Sequence, residues 1–298
     1  MRPSLSILVA GLSLTPLAGC HLPKLGGQVP AALVNSRQLS QQGIGAMDRG
    51  QQQEAESLLA KAVQSCPTDH DARRYYAESL WLRNARPEAV AQMEQACRLD
   101  SEDTAQRVRL AEMYFALGRL PAARQSAELA IRQNSKLASA WAVRGRVMRD
   151  QGDVQQALAD FHRVLGLVPD DRQVLFEISE VYQKFGQPER SLESLQSLAD
   201  TYSPGEEPPP VLCLLGRAYV GLGRYEDAVA SFTAAMNRDR PTPDLLCSLA
   251  EAQNLAKRPG EAVSSLQQAL AMEPGHAASR RLLDEIRVAE QPGGNIRR

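Results

Sequence analysis

The chain has 298 residues, of which 43% are hydrophobic, 23% charged and 5% aromatic, and its formal net charge is -1. This composition is ordinary for a soluble helical protein. A near-neutral balance argues against nucleic acid as a general partner, because a phosphate-binding surface needs a basic excess.

Residues 1–19 read as a leader. Arg2 supplies the positive start, Leu5 to Leu14 a short apolar run, and Leu17-Ala18-Gly19 the small residues before Cys20. The apolar run is too short to span a bilayer. A cysteine directly after small residues resembles a bacterial lipoprotein signal, and that resemblance implies cleavage before Cys20 and lipid on its sulfur and amine. His21, rather than an aspartate, follows the cysteine. By the same resemblance, this implies an outer membrane facing the periplasm. Residues 20–35 carry Pro23, Gly26, Gly27 and Pro30 without sustained periodicity and read as a tether. Ala31 to Val34 are able to begin the first helix early.

From Ser36 a 34-residue period takes over, with units starting at Ser36, His70, Thr104, Ala138 and Arg172, then, after a three-residue slip, at Pro209 and Pro243. In the fourth unit Trp141 and Met148 share a helix face, Gly152 breaks the pattern, and Ala157, Phe161 and Val164 form a second stripe that Pro169 ends. Alanine recurs in the second helix at Ala55, Ala89, Ala123, Ala157, Ala228 and Ala262, with Ser191 in the fifth unit. The eighth place is always small: Gly43, Ala77, Ala111, Gly145, Ser179, Gly216 and Ala250. These are the places where the two helices of a unit touch most closely. Tyr114, Tyr182 and Tyr219 recur three places later.

This set resembles the tetratricopeptide repeat, in which each helix pair buries its apolar stripe against copies of itself. The resemblance covers residues 36–276. It implies an all-α, right-handed solenoid of about seven helix-turn-helix units, each resting mainly on its neighbours. Residues 277–290, with Leu282, Leu283 and Ile286 on one side and charge on the other, read as a capping helix, and 291–298 as a tail. The run Ser203 to Pro210 interrupts the array. Its four prolines forbid helix, so the fifth and sixth units are expected to be the least tightly coupled pair.

Cys66 with Cys97, and Cys213 with Cys247, lie on adjacent units, and an oxidising compartment permits a disulfide in either pair. Otherwise they are small, half-buried thiols. Catalysis finds no support. His21, His70, His162 and His276 are isolated from a second ligand at helix spacing, and Pro67 spoils a shared face for Cys66 and His70. No zinc-protease helix, phosphate loop or serine-hydrolase elbow occurs, and neither metal nor cofactor is implied.

Function is therefore expected to reside in a surface. The family resemblance implies that the second, fifth, ninth, twelfth and thirteenth places of each unit face a concave groove that takes protein or peptide partners. The ninth place carries Glu78, Glu112, Arg146, Glu180, Arg217 and Glu251. At the twelfth are Trp81, Phe115 and Arg149, and Phe176 occupies the fifth of its unit. Glu78 with Trp81, and Glu112 with Phe115, repeat an acid and an aromatic three apart. If open, such a pair suits an apolar side chain beside a lysine or arginine. The aromatics equally suit packing against neighbouring helices, and the charges suit a solvated face or links between units. The variant of this repeat that grips a terminal carboxylate uses lysine and asparagine at set groove places. Here those places hold mainly glutamate and aromatics, which argues against that role.

The expected protein is a lipid-anchored envelope scaffold in assembly of an envelope, pilus or secretion complex. A regulatory subunit binding a glycan or peptidoglycan fragment through Trp81, Phe115 and Phe176 is the alternative. A self-associating structural protein is the third reading.

Overall fold

The computed structural model describes residues 29–290 and is all α-helix and turn. Cys20 and residues 291–298 lie outside the described residues, so the lipid anchor, most of the tether and the tail have no structural account here. The chain divides into two compact units, with the boundary between Asn134 and Ser135.

The N-terminal unit holds three helix pairs: α1 (Ala31–Asp48) with α2 (Gln52–Ser65), α3 (His70–Leu82) with α4 (Arg86–Leu99), and α5 (Thr104–Ala116) with α6 (Leu120–Gln133). Residues 31–35, read above as tether, are helical. Pro30 at the N-cap explains this, since its carbonyl accepts from the amides of Leu33 and Val34 at 2.9 and 3.1 Å, and its fixed φ suits a helix entrance. Asp69 and Asp103 cap α3 and α5 by accepting from the amides of Ala72 and Gln106. Asp69 also accepts from the Ser36 hydroxyl at 2.8 Å, which ties the first pair to the second. The core between the second and third pairs is built on Ala77, Val90, Met93, Cys97, Leu110 and Met113.

The C-terminal unit holds α7 (Ala138–Asp150) with α8 (Val154–Leu167), α9 (Arg172–Lys184) with α10 (Pro188–Ala199), α11 (Pro209–Gly221) with α12 (Tyr225–Arg238), α13 (Pro243–Leu255) with α14 (Pro259–Met272), and a last helix, α15 (Ala277–Glu290). Leu283 and Ile286 of α15 pack on Ala250, Ala262 and Leu266. The His276 ring accepts from the Ser279 amide at the start of α15 and meets Asp244 at 3.0 Å, so this histidine is a helix cap. In the first pair of this unit, Arg144 grips the buried Asp160 with two bonds of 2.7 and 2.6 Å and lies over the Trp141 ring.

Where glycine stands at the eighth place, a side chain of the second helix fills the space its β-carbon would need. A β-carbon on Gly145 would lie 2.7 Å from the Phe161 ring, one on Gly216 2.6 Å from Phe232, and one on Gly43 2.6 Å from Leu59. Phe161 and Phe232 are almost fully buried because glycine leaves room for a ring. The turns within the seven helix pairs each pass through a left-handed residue: Gly50, Asn84, Gly118, Gly152, Gly186, Gly223 and Lys257.

The proline-rich run corrects two expectations. Pro209 and Pro210 are not barred from helix. They open α11, where the missing amide hydrogen costs nothing. Nor are the fifth and sixth units loosely coupled. Leu175 of α9, Leu192, Leu195 and Leu198 of α10, and Val211, Leu214 and Ala218 of α11 form one buried cluster beneath the loop. The loop itself is pinned. Arg238 pairs with the Glu207 carboxylate at 3.0 Å and donates to its carbonyl, and Arg172 lies over the Tyr202 ring at 4.1 Å. Proline dictates only the local backbone, whereas coupling follows from the apolar side chains on either side.

Candidate functional site

In the N-terminal unit the expected groove residues are already engaged. Arg109 of α5 donates to both oxygens of Glu78 on α3 at 2.7 and 2.8 Å, and to Glu112 on its own helix at 3.1 Å. The bonds to Glu78 raise the Arg109 pKa further above its ordinary value. Two guanidinium groups lie over the Trp81 ring, Arg86 at 3.8 Å and Arg109 at 5.6 Å from ring centroids. The acid and aromatic do attract an arginine, but the chain supplies it. Phe115 is half-buried.

In the C-terminal unit Arg146 of α7 donates from Nε to both oxygens of Glu177 on α9, at 2.8 and 3.1 Å. Glu177 is buried and also accepts from Gln173 at 2.7 Å. This pair mirrors Arg109–Glu78. Each joins the ninth place of one unit to the sixth place of the next, with the signs exchanged. Further along, the sixth place becomes Leu214 and then Ser248, neither of which offers a charge. Glu180 and Arg217, at the ninth places that face them, are exposed.

That lapse opens a cavity of about 670 Å³, which brings together three of the expected residues, Arg149, Glu180 and Arg217, from α7, α9 and α11. Lys184, Gln183, Phe185 and Leu214 complete the wall. Gln183 donates to the Leu214 carbonyl and holds α9 against α11. Arg149 pairs with the neighbouring Asp150 at 3.0 Å. Lys184 and Arg217 form no ion pair among the described residues. Partial burial, reinforced by the nearby Glu177 charge, pushes the Glu180 carboxyl above the usual range against the pull of Arg149 and Arg217.

Two expected residues stay apart from this cavity. Phe176 packs against the buried leucine cluster, and Glu251 is exposed on α13. Phe185 was missed because it lies one place beyond the groove places that the family resemblance supplies, whereas Lys184 stands at the thirteenth place, a groove place that was not singled out residue by residue. Phe185 nevertheless carried a signal in the sequence, a bulky aromatic directly before Gly186, and the structure leaves it 51% exposed. On its other side lies a second cavity of about 550 Å³, walled by Val154, Leu158, Val181, Tyr182, Gln187 and Arg190.

Among the described residues no group of histidine, cysteine and carboxylate side chains is placed to hold a metal ion, and no helix is long and apolar enough to cross a membrane. Cys66, Cys97, Cys213 and Cys247 are thiols rather than disulfides. Burial pushes the Cys97 thiol up to about 11, and those of Cys213 and Cys247 rise for the same reason.

The family model of the tetratricopeptide repeat matches residues 40–104, 86–138, 143–206 and 213–283. The solved structure of PilW, a widely conserved type IV pilus biogenesis factor, is similar with a TM-score of 0.62 at 20% identity, over 72% of this chain and 98% of that one. YrrB, a repeat protein with an unusual peptide-binding site, gives a TM-score of 0.58 at 18% identity, over 64% and 97%. In sequence, the 131 kDa subunit of transcription factor tau from Saccharomyces cerevisiae is 27% identical over 161 residues, 54% of this chain. The match spans only 15% of that protein's length.

Proposed function

The chain belongs to the tetratricopeptide-repeat family, whose repeats bind protein or peptide partners, and from this we propose that it is a non-enzymatic scaffold tethered by lipid at Cys20 in a bacterial envelope. It would hold partner proteins during assembly of an envelope, pilus or secretion complex. The observation that carries the binding role is the convergence of Arg149, Glu180 and Arg217, from three successive first helices, on one open cavity. The small residues that lead into Cys20 support the anchor, and the likeness to PilW, itself a pilus biogenesis factor, is compatible with the envelope role.

Two of the three rings expected to stack a glycan are engaged within the chain: arginines lie over Trp81, and Phe176 packs on the leucine cluster.

In-cell crosslinking from a photoreactive residue at position 180 tests the binding role. Discrete proteins captured there, but not from the exposed position 196 on α10, are the expected result. No capture at 180 by a folded chain would sink the reading. The anchor is tested separately. Cys20→Ser should move the protein from the membrane fraction to the soluble one, and unchanged membrane retention would disprove it.

A further inference from the structure

We infer that the furrow on either side of Phe185 binds a partner segment in which acidic residues alternate with aliphatic ones, an inference that rests on the protein-binding reading above. Charge comes first. Arg149, Lys184 and Arg217 face the larger cavity against a single acid, Glu180. Asp150 offsets Arg149, which leaves Lys184 and Arg217 as the cations without an ion pair of their own. This follows from the lapse of the ninth-to-sixth pairing. Arg146 pairs with Glu177, whereas Leu214 and Ser248 offer Glu180 and Arg217 no sixth-place charge, and Arg217 is left within the electrostatic reach of Glu180 but without a close ion pair.

The apolar requirement comes from the other side of the same ring. The second cavity shares Val154, Val181 and Phe185 with the first and adds Leu158. Its charges are one of each sign, Asp153 and Arg190, and Asp153 is occupied in capping α8. A carboxylate on the Lys184–Arg217 side and an aliphatic side chain against Phe185 satisfy both walls at once. A lysine-rich segment would meet two unpaired cations, and a wholly apolar one would leave them unanswered.

Fluorescence anisotropy of the full chain with a labelled Glu-Leu repeat peptide tests this, alongside Lys-Leu and Glu-Ser peptides of equal length. The Glu-Leu peptide should bind best and weaken with added salt, because screening acts on exposed charge pairs. The double variant Lys184→Glu/Arg217→Glu should lose about tenfold in affinity for it and prefer the Lys-Leu peptide. Phe185→Ser, at a half-exposed position, should weaken binding by a factor that persists at high salt. Equal binding of the Glu-Leu and Lys-Leu peptides, or unchanged affinity in the double variant, would overturn the inference. Capture at position 180 together with either of those results leaves the scaffold reading standing and removes only the acidic partner. Loss of both removes the two together.

Discussion

At the scale of single residues, the sign of a substitution depends on what its β-carbon meets. Gly216→Ala gains about 1 kcal/mol of helix propensity, yet the new carbon would lie 2.6 Å from the buried Phe232 ring. Overpacking costs about 1–3 kcal/mol, so the variant should be the less stable in urea unfolding. Gly166, inside α8 with nothing within 4 Å of its β-carbon position, should respond oppositely and gain up to about 1 kcal/mol. Equal shifts in both variants would mean that the ring contact is wrong. The turn residues offer a second case. Lys257 sits at φ 64° where five other units have glycine, and a side chain in that region costs about 1 kcal/mol. Lys257→Gly should therefore raise the melting temperature, and a fall would contradict the turn geometry. Small eighth places were legible in the sequence. Their matching rings were less so, because Phe161 read only as a stripe residue, and it is the distance from the β-carbon position to the ring that pairs Phe161 with Gly145 and Phe232 with Gly216.

At the scale of elements, caps and inter-helix ion pairs divide the labour. Burial works against the charge on Asp103, but bonds from the Gln106 amide and side chain outweigh it and hold the carboxyl below the usual range. A depressed carboxylate gives stability that is complete above the unfolded value of about 3.9 and lost as pH falls through the folded one. Asp103→Ala should cost about 1 kcal/mol at pH 7, and the gap from the natural protein should close as pH drops below about 4. A gap that stays constant to pH 2 would rule out the capping charge. The ion pairs between first helices were less legible. Glu78 and Arg146 stood at groove places by resemblance, but their partners Arg109 and Glu177 sit 31 residues away at the sixth place. Only the packing of neighbouring helices shows that these two places meet, and that the charge order reverses between the two units. The same packing turns Glu78, an expected open acid, into a paired one, and leaves Glu180 and Arg217 open where the facing sixth places are Leu214 and Ser248.

At the scale of the whole chain, the prolines drew attention to residues 203–210, while the compact units part at Asn134 and Ser135. Proline content is visible in a sequence. The apolar area joining one pair to the next is not, since it depends on which side chains face the neighbour. Three leucines of α10 are buried with Val211 and Leu214 of α11. Two fragments separate these views. Residues 135–290 keep the leucine cluster and the closing helix α15, so they should fold alone and unfold cooperatively in urea. Residues 209–290 start beyond α10 and leave Val211 and Leu214 uncovered. Each buried leucine or valine contributes about 1.5–3 kcal/mol, and a repeat depends on its neighbour for that burial. The shorter fragment should therefore lose helical circular dichroism at lower urea, with a broader transition. If both fragments unfold at the same midpoint, the cluster does not couple the pairs across the proline run, and the run is the true joint of the array.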